Sequence, residues 1–180
     1  MLKIILLAIV LLIVVFVIVV SLRPSQFRVT RSATIAAPPE AVFPQVNNLH
    51  NWEAWSPWAK LDPAAKNSYS GPPEGVGASF AWDGNSQVGA GSMTITDSQP
   101  AQLVRFRLDF LKPFKGTNIA EFTFQPEGGQ TKITWTMSGT YNFIMKAVGL
   151  FMDCDKMCGG FFEKGFADMK AIVEGKTAAK

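Results

Sequence analysis

An α+β fold, in which an antiparallel sheet carries its helices on one face and one apolar helix precedes it, is predicted by three features of the sequence. The chain opens on an uninterrupted apolar run, its middle alternates apolar and polar residues between Gly and Pro punctuation, and from Phe143 to Val173 it switches to helical periodicity. Strand, short helices, a run of strands and a long helix is an order that segregates helices to one side of a sheet.

The opening run from Ile4 to Leu22 contains no charge and nothing more polar than Ser21, with Lys3 before it and Arg23-Pro24 after it. As a helix it measures about 28 Å, close to the ~30 Å hydrocarbon core of a bilayer. A cleavable signal peptide normally has an apolar region of only ~7 to 15 residues and a small-x-small exit, which Ser21-Leu22-Arg23-Pro24 does not supply. The expectation is a single-pass anchor over residues 1–23 and one globular domain over residues 24–180. Arg23, Arg28 and Arg31 outweigh Lys3 and the terminal amine, which places that domain on the cytoplasmic side. Of the 17 basic residues, Lys3 and Arg23 belong to the anchor, so residues 24–180 carry a net charge of only +1 against 14 acidic side chains. That balance, without a basic stripe interleaved with aromatics, argues against a nucleic-acid partner.

Phe27 to Ile35 alternates and is rich in β-branched residues, which predicts a strand. Pro39 and Glu40 suit the first turn of a helix that continues to Val46, with Val42, Phe43 and Val46 on one side. A helical or irregular segment from Leu49 ends before Pro57. Strands follow at Ala78–Trp82, Gly91–Thr96, Val104–Phe110, Ile119–Gln125 and Thr131–Thr140, with a hairpin signal at Gly128-Gly129. Phe143, Ala147, Leu150, Cys154, Met157, Phe161, Met169 and Val173 lie near one helical stripe, which Gly159-Gly160 is expected to kink at a cost of ~1 kcal/mol per glycine.

Ile35-Ala36-Ala37-Pro38-Pro39-Glu40-Ala41-Val42-Phe43, with Leu49 and Trp52-Glu53-Ala54-Trp55-Ser56-Pro57-Trp58, resembles the opening of the Bet v 1-like (START-like, SRPBCC) superfamily, most closely its polyketide cyclase/dehydrase-like group. Gly75-Val76-Gly77 with Trp82, Gly91-x-Met93-x-Ile95-Thr96, Thr131 to Trp135 with Gly139, and Glu163-Lys164-Gly165-Phe166 extend the resemblance over residues 27 to 174. It implies a helix-grip fold, a curved antiparallel sheet around a long C-terminal helix with an apolar cavity between them. Relatives bind lipids, sterols or polyketide-like molecules, and some catalyse cyclisation or dehydration.

In such a fold the inward positions are Phe80, Trp82, Met93, Ile95, Phe106, Leu108, Phe110, Phe122, Phe124, Trp135 and Met137 on the sheet. Leu150, Cys154, Met157, Phe161 and Phe162 answer them from the helix. These residues suit the lining of a cavity for a hydrophobic small molecule or lipid, and equally the filling of a core. Trp55 and Trp58 are expected to pack a small helix onto the sheet, and Trp52 to stand at the cavity rim. Cys154 and Cys158 share a helix face but lack the further ligands of a tetrahedral zinc site, so they read as small apolar core residues. His50 falls in a polar loop; Asp109, Glu121, Asp153 and Asp155 form no convergent set. No catalytic or metal site and no cofactor is predicted. The expected function is a membrane-anchored binding module, with a cyclase/dehydratase-like enzyme or a protein-interaction domain as the alternatives.

Overall fold

The computed structural model describes residues 1–175, and Cys154 by its backbone alone. The apolar run forms α1, Leu2–Leu22, whose 21 residues bury only Val20 and which is long and apolar enough to cross a membrane. After three intervening residues the chain enters β1, Gln26–Ile35. Pro39 starts α2, Pro39–Asn47, where its missing N–H removes no helical hydrogen bond. A 3-10 turn at Leu49–Asn51 leads into α3, Trp52–Trp55. Six strands then run in sequence: β2 (Lys66–Ser70), β3 (Ser79–Asp83), β4 (Ala90–Gln99), β5 (Leu103–Lys112), β6 (Gly116–Glu127) and β7 (Gln130–Thr140). The chain closes with α4, Phe143–Val148, and α5, Cys154–Val173.

All seven strands form one curved antiparallel sheet in the order β1-β7-β6-β5-β4-β3-β2, so the first strand pairs with the last. Period-2 alternation divides it into two chemically distinct faces. Toward the helices point Val29 opposite Met137, Trp135 opposite Phe122, and Phe106 opposite Ile95. The outer face is polar and bonded to itself. Thr30 and Thr136 hydroxyls lie 3.1 Å apart, Ser32 and Thr134 2.8 Å, and Arg105 donates to Glu121 at 2.9 Å and to Asp97 at 3.2 Å.

The helices are fixed to the concave face mainly through β1, β6 and β7. Trp52 and Trp55 direct their indole N–H groups back to the carbonyls of Val46 and Gln45, at 3.0 and 2.9 Å. Carbonyls in the last turn of α2, which no helical N–H reaches, thereby gain partners. Their rings then pack on Trp135, which stacks on Phe162 of α5 with centroids 4.0 Å apart and planes 6° off parallel. The far end of α5 is held by Lys170 donating to the Thr34 carbonyl at 3.1 Å and Glu174 accepting from the Ala36 N–H at 2.9 Å.

Three elements depart from the sequence expectation. The predicted C-terminal helix is two helices, broken at Gly149–Asp153, and α5 runs uninterrupted through Gly159-Gly160. Asp153 restarts it by accepting from the Lys156 N–H at 3.1 Å, an N-cap signal stronger than the glycines' helix-breaking tendency. The restart changes the helical phase, so α5 presents Phe162, Phe166 and Met169 to the core, flanked by Cys158, Ile172 and Val173. The second departure is β2, a strand at the sheet's edge that alternation does not reveal because Tyr69 is its single large apolar side chain. It is tied to α3 by Glu53, which accepts from Tyr69 Oη at 3.0 Å and Asn67 Nδ2 at 3.2 Å, while His50 stacks on Tyr69 at 4.0 Å. Third, Trp52 belongs to the core at 8% exposure and not to a rim, because its indole is drawn inward to cap α2.

Gly159 leaves room for the Arg31 guanidinium, which Asp155 and Glu163 hold in place. A Cβ there would collide with the Arg31 guanidinium, coming within 2.6 Å of Nε, whereas a Cβ at Gly160 meets nothing within 4 Å. Gly160→Ala is therefore expected to raise stability by ~1 kcal/mol, the usual helix gain. Gly159→Ala should reverse the sign, because overpacking costs ~1–3 kcal/mol. Urea midpoints of the detergent-solubilised full chain, followed by tryptophan fluorescence, check both.

Burial, then the hydrogen bond to Glu53, raises the Tyr69 pKa to about 12. An unfolded tyrosine ionises near ~10. As pH rises between these values the unfolded chain has lost a proton that the folded chain keeps, so the contribution is intact below ~10 and is lost on passing through about 12. Tyr69→Phe is expected to flatten the alkaline fall in unfolding midpoint over that window.

Candidate functional site

Burial on the concave face is graded along the strands. At the end covered by α2, α3 and the C-terminal half of α5, Phe106 and Phe122 are fully buried and Phe124, Trp135 and Met93 nearly so. Other inward residues are only half-buried: Trp82 and Phe110 toward the end where α1 enters and β7 leaves, Phe80 and Leu108 level with Met93, and Met137 level with Phe106. The difference follows from helix placement, since no helix packs extensively on β3, β4 or β5. Part of the concave face is a sealed aromatic core, and the rest is a half-covered apolar trough whose Phe80, Trp82, Leu108 and Met137 pack against that core.

The trough is shaped by close contacts. Trp82 lies against Gly91, where a Cβ would come within 2.7 Å of the ring, and its indole donates to the Val88 carbonyl at 3.2 Å. Phe80 and Phe110 flank it, with centroids 5.9 and 6.0 Å away. Met93 and Leu108 are directly opposite one another across β4 and β5. Trp135, on the same face, has a buried indole nitrogen with no hydrogen-bond partner among the described residues. A buried donor left without an acceptor costs ~1–3 kcal/mol, a cost carried inside the aromatic cluster that encloses Trp135.

Arg31 crosses the concave face between β1 and α5. Its guanidinium pairs with Asp155 at 2.9 Å and with Glu163 at 2.9 Å, eight residues apart on the helix. Hydrogen bonds to Asp155 and then Glu163 hold the arginine above its ordinary pKa, and the bond from Arg31 holds the Asp155 carboxyl below its own. This clamp fixes the N-terminal half of α5. Alternation carried its signal, since Phe27, Val29, Arg31, Ala33 and Ile35 share the inward face, and a charge in that row needs a partner on the helix.

A cleft of about 540 Å3 opens where α1, the entrance to β1, α4 and the turn into α5 meet, lined among others by Arg23, Tyr141, Lys146, Leu150 and Phe151. Leu150, expected on the long helix, lies in the break between α4 and α5. Met157 is 47% exposed, turned outward by the new helical phase. Phe161 is half-buried against Trp58 at 5.6 Å, with Lys164 Nζ 5.6 Å from its ring centre. The side chain of Cys154 lies outside the described residues. Asp109 and Glu121 are on the outer face: Asp109 pairs with Arg107 and accepts from Thr117 Oγ1 at 2.6 Å, the bond that chiefly lowers its pKa. His50 is exposed beside a smaller cleft of about 100 Å3.

Similar solved structures have this architecture. Protein MLL2253 from Mesorhizobium loti is 17% identical with a TM-score of 0.60, over 84% of this chain and 99% of that one. The Aha1 dimer from Colwellia psychrerythraea is 18% identical with a TM-score of 0.59, over 82% and 96%. Ara h 8.0201, a Bet v 1-like protein, is 13% identical with a TM-score of 0.56, over 84% and 99%. At these identities the likeness shows the helix-grip fold alone. No curated protein matches. Residues 26–174 match the family described as polyketide cyclase / dehydrase and lipid transport, and the chain belongs to that family.

Proposed function

We propose that the protein is a membrane-anchored binding module that holds a hydrophobic small molecule or a lipid against the half-open part of the concave face. The observation that carries this reading is the row Phe80, Trp82, Leu108, Phe110 and Met137, inward-facing yet only half-buried. Apolar area that the protein's own helices leave uncovered is area a ligand gains by covering, at roughly 25 cal/mol per Å2. Such sites need few polar groups to orient the ligand. Family membership, which spans lipid transport, supports the ligand class. α1 supports the location, as a helix with the length and apolarity of a single span, and the arginines after it favour a cytoplasmic body.

A diazirine-bearing fatty acid in nanodiscs containing the full chain tests the site. Photocrosslinks are expected on the peptides of β3 and β5, and Leu108→Asp, which places a charge in the trough, should reduce their yield at least tenfold. Crosslinking confined to α1, unchanged by Leu108→Asp, would refute the trough as the site.

A further inference from the structure

We infer that the corner formed by α4 and the turn into α5 is a second membrane-contact surface, which rests the body of the protein on the bilayer face from which α1 emerges. The inference builds on the reading of α1 as a span. A helix of 21 residues rises about 31 Å, against a hydrocarbon core of ~30 Å, so its final turn lies at the boundary between acyl chains and headgroups. α4 is packed on that final turn. Val20 is fully buried, Arg23 Nη1 donates to the Gly149 carbonyl at 2.7 Å, and Lys146 Nζ is 3.5 Å from the Ser21 carbonyl. Whatever depth the end of α1 takes, α4 takes too.

The side chains at this corner fit that depth. Phe143 and Ile144 are 46% and 52% exposed on α4, and Phe151 and Met152 are 82% and 49% exposed in the turn that follows. Four large apolar side chains within ten residues are a costly surface in water, and one that marks a contact. Arg23 and Lys146 lie beside them, the cations that favour a phosphate layer. The sheet adds to the same end. Gln26 is opposite Thr140, Gly139 opposite Asn118, and Asn118 opposite Leu108, so the β5–β6 hairpin projects from the end of the sheet where α1 joins it. Its tip exposes Leu111 and Phe114 by 57% and 44%, each followed by a lysine, Lys112 and Lys115. Val76, 58% exposed, belongs to the loop before β3, at the opposite end, and serves as the contrast.

The occupant is the interfacial layer of the bilayer, not a second protein. α1 already delivers lipid to this corner, and contact there adds the second signal that turns one apolar anchor into a defined pose. The cleft lined by Arg23, Tyr141, Lys146 and Phe151 then opens at the level of the headgroups.

Depth-dependent quenching tests this with the full chain in nanodiscs made with or without bromine-labelled phosphatidylcholine. Phe151→Trp, Phe16→Trp and Val76→Trp each add one indole to the five native ones. Emission added by Phe16→Trp and by Phe151→Trp is expected to fall at least twofold in brominated discs, while that added by Val76→Trp is unchanged. Quenching at residue 16 with none at residue 151 overturns the second contact and leaves the anchor standing. An unquenched Phe16→Trp overturns the anchor, and this inference with it.

Discussion

The packing of Trp135 is the constraint on which the rest of the structure depends. Its ring stacks on Phe162 and lies against Phe122, with centroids 4.0 and 4.6 Å away, while Trp52, Trp55 and Trp58 approach it edge-on at 5.7 to 6.0 Å. One side chain of β7 thus joins the sheet to α3, to the segment after it and to α5. Edge-to-face and offset contacts of this kind add ~0.5–1.5 kcal/mol per pair beyond area burial. Because the cluster gathers the helices over β1, β6 and β7, it also determines which part of the concave face they leave uncovered.

Arg31 complements that packing with direction. Aromatic contacts tolerate sliding, whereas a guanidinium bonded to Asp155 and Glu163 fixes how far α5 extends across the sheet and at what rotation. As half-exposed ion pairs these contribute modestly to stability, and their value is geometric. Hydrophobic packing therefore anchors the C-terminal half of α5, and charge positions its N-terminal half beside the trough.

Much of this was legible in the sequence because period-2 alternation is a local signal. Six of the seven strands, the start of α2 at Pro39 and the division of the sheet into two faces followed from it directly. β2 escaped because Lys66-Asn67-Ser68-Tyr69-Ser70 has no apolar alternation, and it is a strand only through pairing with β3 and contact with Glu53. The helix break was misplaced because a glycine's meaning depends on what approaches it: Gly159 makes room for an arginine 128 residues earlier, and no window along the chain contains both. The candidate site divides in the same way. Which residues face inward is a local property, while which of them a helix covers depends on long-range packing, so Phe106 and Phe110 read alike in sequence and differ in burial.

The junction between α1 and β1 limits how far the body can move from the end of α1. Only Arg23, Pro24 and Ser25 separate the two elements, a leash of about 10 Å at full extension. Arg23 is itself bonded to Gly149, which shortens even that reach. A soluble lipid carrier works as a ferry, loading at one bilayer and unloading at another. With α1 in a membrane this protein has no such range, and any exchange it makes is with molecules in, or brought to, its own bilayer.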